Sequence, residues 1–431
     1  MEAGTAEVSD FFRKTLYPEL AQKGGSQDAN AVLSREKTEV SRLQTTLVNL
    51  GPHVLGIRLL LGDDQVYALI VTAQARKKYE LKVTPNALRD KVLQVREALR
   101  TPTSDPSAAL GELYAMVVGP YSAELAALEH GQPQSASPAT LLWSLDGVMR
   151  YVPMGALFDG QHYLVERFNN VLFTPESYGH MDRAKDAGGL RVLAMGLSKS
   201  YGGLPALPGV QPELDAVAHD PSVPESHGPM DGVLLTNERF TFAAMKDRLG
   251  AGAGFPVVHI ASHFVMETGG GGDEPYLMLG GDTTGASDGY ELTLSQLEDS
   301  TVRFTGTHLL TLSACSTAKG DVAQNGLEVD SLGMIAQQKD AEAVVATLWD
   351  VNDASTSRLM GDFYAGWVKA PAAGKAEALR HAQLAFLHSG EAAAKAPGAR
   401  GLQAEAGAAP KPGNLAHPFY WAPFVLIGNY Q

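Results

Sequence analysis

A single cysteine and a histidine 52 positions before it are the residues of this chain best suited to covalent chemistry. Cys315 closes an apolar run that begins at Leu309, and His263 closes another that begins at Val257. A thiolate is a strong nucleophile, and an imidazole can take up its proton and later protonate a leaving group. The pair therefore predicts acyl chemistry with a cysteine nucleophile, provided that the fold brings the two residues together.

The sequence also leaves other roles open for these residues. A lone cysteine is often an inert, buried side chain. His259, four residues before His263 in the same run, is expected to be a hydrogen-bonded core histidine. A zinc site built from His259, His263 and Cys315 lacks a fourth ligand at a recognisable spacing. We therefore expect no metal and no cofactor, and one cysteine excludes an internal disulfide.

The elements that must position the pair are short apolar strands that alternate with helices. This pattern predicts an α/β fold with a mostly parallel sheet flanked by helices. Ligands of such sheets bind beyond the carboxyl ends of the strands, where Cys315 and His263 both lie. In this part of the chain the strands are predicted at 191–197, 233–235, 257–262, 309–313, 343–348 and 424–427. The helices between them are predicted at 213–218, 240–249, 327–338, 354–368 and 375–387.

The pattern of the whole chain predicts three parts. Residues 1–50 read as a helical lead-in, with one apolar face formed by Leu33, Val40, Leu43, Leu47 and Val48. Residues 51–185 form a first α/β lobe, with strands at 54–61, 66–72, 79–83 and 141–145 and helices at 85–100 and 108–128. Residues 186–431 form the second lobe, which carries the histidine and the cysteine.

Charge and composition argue against several kinds of partner. The chain has 48 acidic and 34 basic residues, a net charge of −14, and no basic cluster, so nucleic acid is not expected to bind. The first residues have neither the basic start nor the apolar stretch of a signal peptide, and no apolar run reaches membrane-spanning length. We expect a cytoplasmic protein with no membrane partner.

Four segments stand in the order and at the spacing found in one family of peptidases. They are VVHIASHF at 257–264, LTLSACST at 310–317, AVVATLWDVND at 343–353 and HPFYWAPFVLIG at 417–428. On these segments the chain resembles the CHAT-domain cysteine peptidases, relatives of caspases and separase in clan CD. Weaker matches at 152–157 and 207–214 extend the resemblance over about residues 50–431. It implies a caspase-like three-layer fold, with a pseudo-caspase lobe at 51–185 and an active lobe at 186–431.

The resemblance implies a role for each residue of the site. Cys315 would attack the scissile carbonyl, and His263 would help to ionise the thiol and then protonate the leaving amine. Backbone amides of Cys315 and Phe264 would bind the oxyanion. Phe264 stands where many caspase relatives have glycine, which is a departure from the pattern, although an amide of any residue type can donate.

The resemblance also suggests which residues bind the substrate. Ser313, two residues before the cysteine, and Trp349, Asp350 and Asp353 after the next strand correspond to the pocket for the residue before the cut. The stretch 348–353 is similar to one in separase, a family that cuts after arginine, and a carboxylate can pair with a guanidinium. For Asp353, capping of the helix predicted at 354–368 is the favoured alternative.

Taken together, the sequence predicts a cysteine endopeptidase that cleaves a specific protein partner. The resemblance further suggests a gasdermin-like partner, control by a sensor or repeat-containing protein, and a bacterial stress or defence pathway. The alternative is a non-catalytic CHAT module that serves as a scaffold. A third interpretation, an α/β-hydrolase or acyltransferase, requires a G-x-C-x-G elbow, and residues 313–317 lack its glycines.

Overall fold

The strands and helices of this chain follow its apolar runs. The computed structural model describes residues 34, 37–131, 137–181, 189–250, 254–265, 274–281, 290–316, 327–349, 351, 353–389 and 415–431. Proximity between Cα atoms divides the chain into unit 1, formed by residues 1–99 and 104–184, and unit 2, formed by residues 100–103 and 185–431. The predicted α/β class, with a mostly parallel sheet flanked by helices, is confirmed.

The first helix in the described part of unit 1 is α1 (37–50), which buries one apolar stripe. Three residues of the predicted stripe are buried: Val40, Leu43 and Leu47. The prediction for Val48 is wrong, because this side chain is 59% exposed. It lies about 100° round the helix from Leu47 and so turns away from the stripe. Leu33 lies outside the described residues.

The strands of unit 1 pair in both parallel and antiparallel register. They are β1 (Val54–Leu61), β2 (Val66–Val71), β3 (Arg76–Leu81), β4 (Thr140–Ser144) and β5 (Asn169–Leu172). Their order is β3-β2-β1-β4-β5. The pairs β3/β2 and β2/β1 are antiparallel, as tight hairpins require, and β1, β4 and β5 are parallel.

Four further helices belong to the described part of unit 1. They are α2 (Pro85–Arg100), α3 (Ser107–Val117), α4 (Ser122–His130) and α5 (Leu164–Arg167). The single helix predicted at 108–128 is wrong, because a 3-10 turn at Gly119–Tyr121 separates α3 from α4. Pro120 explains the break, since proline lacks the amide hydrogen and its ring clashes with the preceding turn.

Unit 2 carries the strands that position the predicted site. They are β6 (Val192–Gly196), β7 (Ala218–His219), β8 (Met230–Thr236), β9 (Val257–Val265), β10 (Tyr276–Leu279), β11 (Tyr290–Thr293), β12 (Leu309–Ser316), β13 (Ala343–Thr347) and β14 (Phe424–Gly428). Their order is β14-β13-β12-β9-β6-β8-β7. Pairs from β13 to β7 are parallel. β10 and β11 form an antiparallel arm on β9.

The last strand departs from the parallel pattern predicted for the second lobe. β14 pairs with β13 in antiparallel register, from Ala343↔Gly428 to Thr347↔Phe424. A parallel neighbour needs a crossover connection that returns the chain to the starting edge of the sheet, whereas an antiparallel neighbour does not. The apolar run of β14 does not indicate whether the strand pairs in parallel or antiparallel register, because buried strands of both kinds have the same composition.

The helices of the described part of unit 2 bury aromatic side chains in the core of the unit. They are α6 (Val210–Val217), α7 (Phe242–Leu249), α8 (Leu294–Asp299), α9 (Leu327–Gln338), α10 (Asp353–Lys369) and α11 (Lys375–Leu387). α10 packs against α6 and α11. The largest fully buried side chains of this unit include Tyr364, Phe363, Phe386, Trp421 and Phe424. Across the described residues of the chain, no helix is both long enough and apolar enough to span a bilayer.

Gly196, the last residue of β6, stands where the backbone leaves no room for a side chain. A Cβ atom there would lie 2.4 Å from the carbonyl oxygen of Ala261 and 2.7 Å from Cγ1 of Val210. Glycine therefore lets α6 pack closely against β6 and β9 near the carboxyl ends of these strands.

Replacing Gly196 by alanine is expected to lower the free energy of unfolding by about 1–3 kcal/mol, because overpacking a filled core displaces its neighbours. Urea denaturation of the purified protein measures this change. The matched control is Gly366→Ala in α10, where an added Cβ atom meets nothing within 4 Å. Gly366→Ala is expected to raise the free energy of unfolding slightly, because alanine is favoured over glycine in a helix by about 0.5–1 kcal/mol. Equal stability of Gly196→Ala and the parent protein would contradict the packing described for β6.

Candidate active site

β9 carries His263, and all nine of its residues are buried. The strand is predicted to end at residue 262, but it continues to Val265. The extension results from the arm, because β10 pairs with the end of β9 through Tyr276↔Val265 and Leu277↔Phe264. His263 therefore lies inside the strand, close to its carboxyl end, and is only 2% exposed.

β12 carries Cys315 and lies beside β9 in parallel register. The register runs from Leu309↔Val257 to Ser316↔Phe264 and makes Cys315 the direct partner of His263. The backbones of neighbouring strands are about 4.8 Å apart. The fold thus brings the two predicted residues to adjoining positions at the carboxyl ends of two central strands. The side chain of Cys315 lies outside the described part of the structure.

The end of β12 extends beyond its pairing with β13. The register with β13 covers Leu310 to Leu312, whereas the register with β9 continues to Ser316. Ser313, the first residue beyond the β13 register, is half-buried. In the described register, the strand end that holds Cys315 is therefore paired with β9 and not with β13. The side of this strand end that faces β13 is thus outside the pairing.

The ring of His263 is held in one orientation by a backbone carbonyl. Its Nε2 atom lies 2.8 Å from the carbonyl oxygen of Pro205. A carbonyl oxygen only accepts hydrogen bonds, so in the neutral ring Nε2 carries the proton and donates it. Nδ1 is buried and has no hydrogen-bond partner among the described residues. The imidazole is thus fixed with its basic nitrogen unoccupied, as a proton acceptor requires.

The loop after β6 places the Pro205 carbonyl over His263. Gly202 and Gly203 have φ angles of +56° and +75°, values that side chains disfavour, and they turn the chain back on itself. The turn is closed by an antiparallel bridge between Tyr201 and Leu204. Burial raises the pKa of Tyr201 to about 12, so its hydroxyl stays protonated at neutral pH. The bridge and the two glycine turns therefore give this loop a defined backbone course.

A buried polar network surrounds His259, four residues before His263 on the same strand. Nε2 of His259 lies 3.0 Å from Oε1 of Glu213, and Nδ1 lies 3.1 Å from the hydroxyl of Tyr364. The Tyr364 hydroxyl is also 2.6 Å from Oγ1 of Thr311, which is the register partner of His259. Burial raises the pKa of Tyr364, so this hydroxyl stays protonated. The prediction of a hydrogen-bonded core histidine is confirmed.

This network also decides the zinc alternative for His259. Both ring nitrogens of His259 are engaged, by Glu213 and Tyr364, so neither is available to a metal. In the part of the chain that the structure describes, no group of three or more His, Cys, Asp or Glu side chains is arranged to hold a metal ion.

Phe264 and Trp349 are both buried, at 6% and 4% exposure. Phe264 lies in β9 between Ser316 of β12 and Leu277 of β10, so its backbone polar groups lie in the plane of the sheet. The Trp349 indole donates to the carbonyl oxygen of Phe419 at 3.1 Å. Trp349 is thus a satisfied core residue close to the end of β13.

The two carboxylates of the predicted substrate pocket belong to Asp350 and Asp353, which follow β13. Asp350 lies outside the described residues. Asp353 is the first residue of α10, which begins one residue before the predicted start, and its side chain is outside the described part of the structure. The choice between helix cap and substrate contact for Asp353 therefore stays a prediction.

Sequence reasoning missed three residues that shape the site. Pro205 acts through its backbone carbonyl, so its residue type carries no signal. Tyr364 reads as an ordinary aromatic of an apolar helix face. Glu213 lies in one of the weaker family matches, and its position on a helix beside a strand that carries a buried histidine is the one signal that was present.

Comparison with known proteins gives a family and a fold. Residues 107–429, the greater part of the chain, match the sequence profile of the CHAT domain. No curated protein sequence matches the chain. Among solved structures, the chain is similar to separase of Saccharomyces cerevisiae in its complex with securin, with a TM-score of 0.56 and 9% identity. The match covers 99% of this chain but 34% of that one, so this chain spans about a third of its length.

Two gingipain structures also match over 80% of this chain. The Arg-specific cysteine proteinase gingipain R has a TM-score of 0.40 and 11% identity, and the match covers 74% of that chain. The complex of the pro- and mature domains of Porphyromonas gingivalis RgpB has a TM-score of 0.40 and 9% identity, with 76% of that chain covered.

Replacing Tyr364 by phenylalanine is expected to lower the free energy of unfolding by about 1–3 kcal/mol, because His259 and Thr311 each lose a buried hydrogen-bond partner. Thermal and chemical denaturation measure the loss. The control is Tyr290→Phe, whose side chain is 40% exposed and whose change is expected to stay within about 0.5 kcal/mol. A Tyr364→Phe protein as stable as the parent would contradict the network.

Proposed function

Because the chain belongs to the CHAT domain family, we propose that it is a cysteine endopeptidase that cuts a protein partner through Cys315 and His263. The observation that carries this proposal is the register of β9 and β12, in which the two residues are direct partners at the carboxyl ends of the strands. The separase-like fold supports it. As part of the same proposal, residues 51–185 are the pseudo-caspase lobe and residues 186–431 the active lobe.

The proposed reaction begins with proton transfer from the Cys315 thiol to Nδ1 of His263. The sulfur then attacks the carbonyl carbon of the scissile peptide bond and forms a tetrahedral oxyanion. When the C–N bond breaks, the imidazolium returns the proton to the departing amine. Water hydrolyses the resulting thioester, with His263 accepting a proton from the water, and the free thiol is restored.

The orientation of His263 supports both proton transfers. The Pro205 carbonyl accepts the Nε2 hydrogen, so the opposite nitrogen is the one available to the thiol and later to the amine. When the ring becomes an imidazolium, the same carbonyl dipole stabilises its positive charge. No acidic side chain is required for this step, because the carbonyl oxygen already fixes the ring.

The proposed oxyanion donors are the backbone amides of Cys315 and Phe264. Amides fixed before the reaction stabilise developing negative charge without reorganisation. Phe264 is the partner of Ser316 in the last register pair between β9 and β12, so its backbone lies at the carboxyl end of this pairing, next to the candidate pair. A glycine at this position is not needed, since the donor is the backbone.

For the substrate, we propose a basic residue before the cut, bound near Ser313 and Trp349. The carboxylates of Asp350 and Asp353 follow β13, the neighbour of the strand that carries Cys315. An ionised carboxylate in a partly desolvated pocket pairs strongly with a guanidinium. Asp350 is the favoured contact, because Asp353 stands at the start of α10, where a carboxylate also stabilises the helix.

The biological setting follows from the resemblance of the sequence to the family. We propose a cytoplasmic enzyme of a bacterial stress or defence pathway, controlled by a sensor or repeat-containing partner. Its proposed substrate is a gasdermin-like protein. Proteomic mapping of new termini, with active protein compared against Cys315→Ala, identifies the natural substrate directly, and identical termini in both samples would favour a non-catalytic scaffold.

Replacing Cys315 by alanine is expected to abolish peptide cleavage, and replacing His263 by alanine to reduce it by about 1,000-fold or more. Cys315 is the only cysteine, so iodoacetamide labelling followed by mass spectrometry reports its reactivity alone. His263→Ala is also expected to slow labelling at neutral pH, because the imidazole no longer assists ionisation of the thiol. The control is the exposed His162→Ala. Full cleavage by Cys315→Ala would refute the proposal.

Fluorogenic peptides that differ only at the residue before the cut test the specificity. We expect kcat/KM to be about 100-fold higher or more for arginine than for leucine, because an unpaired buried carboxylate disfavours an apolar residue. Asp350→Asn is expected to reduce the arginine rate by about 10- to 100-fold, with Asp353→Asn as the matched comparison that changes it little. Efficient cleavage after leucine or methionine with none after arginine or lysine would contradict this assignment.

A further inference from the structure

Asn237 directly follows β8, and its side chain reaches across to the loop after β6. Its Oδ1 atom accepts hydrogen bonds from the backbone amides of Ser198 at 2.9 Å and Lys199 at 3.0 Å. Its Nδ2 atom donates to Oγ of Ser198 at 3.0 Å. Two backbone donors can only meet the oxygen of the amide, so the orientation of the Asn237 side chain is fixed.

The loop held by Asn237 is the one that contacts His263. Ser198 is bonded on both sides, because its carbonyl also accepts from the amide of Leu207 at 3.1 Å. These bonds close the base of the loop, and Pro205 lies inside it, two residues before Leu207. The Pro205 carbonyl in turn accepts from Nε2 of His263 at 2.8 Å. Asn237 is therefore connected to the ring of His263 through a single closed loop.

The arrangement follows from the order of the sheet. β12, β9, β6 and β8 are neighbours, and all four are parallel, so their carboxyl ends lie along one edge. Gly196 at the end of β6 is the register partner of Thr236 at the end of β8. The residue after Thr236 is thus placed to reach the loop after Gly196, and that loop to reach the end of β9.

Asn237 itself is held in an unusual backbone conformation. Its φ angle is +52°, a value found mainly for glycine, asparagine and aspartate. The side chain is 7% exposed, and its own carbonyl accepts from the amide of Phe240 at 2.9 Å. Gly280, beyond β10, packs so closely that a Cβ atom would lie 2.0 Å from this carbonyl oxygen. A strained residue kept in place by its surroundings is typical of functional sites.

We propose that Asn237 is a positioning residue of the active site, which sets the tautomer and orientation of His263 by clamping the loop that carries Pro205. The expected effect of Asn237 on kcat rests on the proposed peptidase function. Its expected effect on the tautomer of His263 does not depend on that activity. Without the clamp, the loop gains freedom, the Pro205 carbonyl no longer stays opposite Nε2, and the proton can occupy either nitrogen.

The test compares two substitutions that tolerate the positive φ angle. Asn237→Gly removes the acceptor, whereas Asn237→Asp keeps an oxygen for the amides of Ser198 and Lys199. For Asn237→Gly we expect kcat to fall about 10- to 100-fold with KM changed by less than about 2-fold, because small misplacement of a catalytic group slows the reaction step. For Asn237→Asp we expect kcat within about 3-fold of the parent. Asp231→Asn, at an exposed position near the opposite end of β8, is the control.

A second readout follows the ring directly. In ¹⁵N-histidine-labelled Cys315→Ala protein, we expect the ring of His263 to show the Nε2–H tautomer, and the added Asn237→Gly change to give a mixture of both tautomers. If Asn237→Gly does not fold, Ser198→Ala removes one bond of the clamp and is expected to lower kcat about 2- to 5-fold.

The outcomes separate the clamp from the peptidase proposal. Absence of cleavage by the parent protein would end the peptidase proposal, while the tautomer measurement would still decide the clamp. The clamp is refuted if folded Asn237→Gly keeps a single Nε2–H tautomer, or if it keeps the kcat of the parent. It is also refuted if Asn237→Asp is as impaired as Asn237→Gly, or if Ser198→Ala, used in place of an unfolded Asn237→Gly, leaves kcat unchanged.

Discussion

The parallel register between β9 and β12 is the constraint on which the candidate site depends. A slip of one residue would place one of Cys315 and His263 on the opposite face of the sheet, and a slip of two would separate their backbones by about a further 7 Å. Part of what fixes the register is polar. His259 and Thr311 are register partners, and both bond to the hydroxyl of Tyr364, so one buried group ties the two strands together four residues before the candidate pair.

The site is assembled largely from backbone groups, which explains why residue types reveal so little of it. The Pro205 carbonyl orients His263, and backbone amides of Ser198 and Lys199 are what Asn237 holds. Such groups depend on where loops run, and the course of a loop is set by tertiary packing. Side chains enter this series of contacts only at its two ends, as the imidazole of His263 and the amide of Asn237.

Buried strands could be predicted from sequence because their apolar runs are continuous, and the resemblance to the CHAT-domain peptidases was enough to expect the histidine and the cysteine to act as a pair. Three features could not be read in this way. The extension of β9 to Val265 depends on pairing with the arm, the antiparallel direction of β14 has no compositional signal, and Val48 departs from its stripe by one position. The break at Pro120, by contrast, was present in the residue type and was overlooked.

The two ends of the parallel strands in unit 2 differ in their distance from the candidate site. The carboxyl ends of β12, β9, β6 and β8 carry the candidate site, whereas β12 starts after a turn at Gly306, whose φ angle is +80°. Eight strand residues at about 3.3 Å each place this turn about 25 Å from the end of β12. A fluorophore or an affinity tag inserted at the exposed Gly306 turn would therefore lie far from the candidate site and leave its surroundings unchanged.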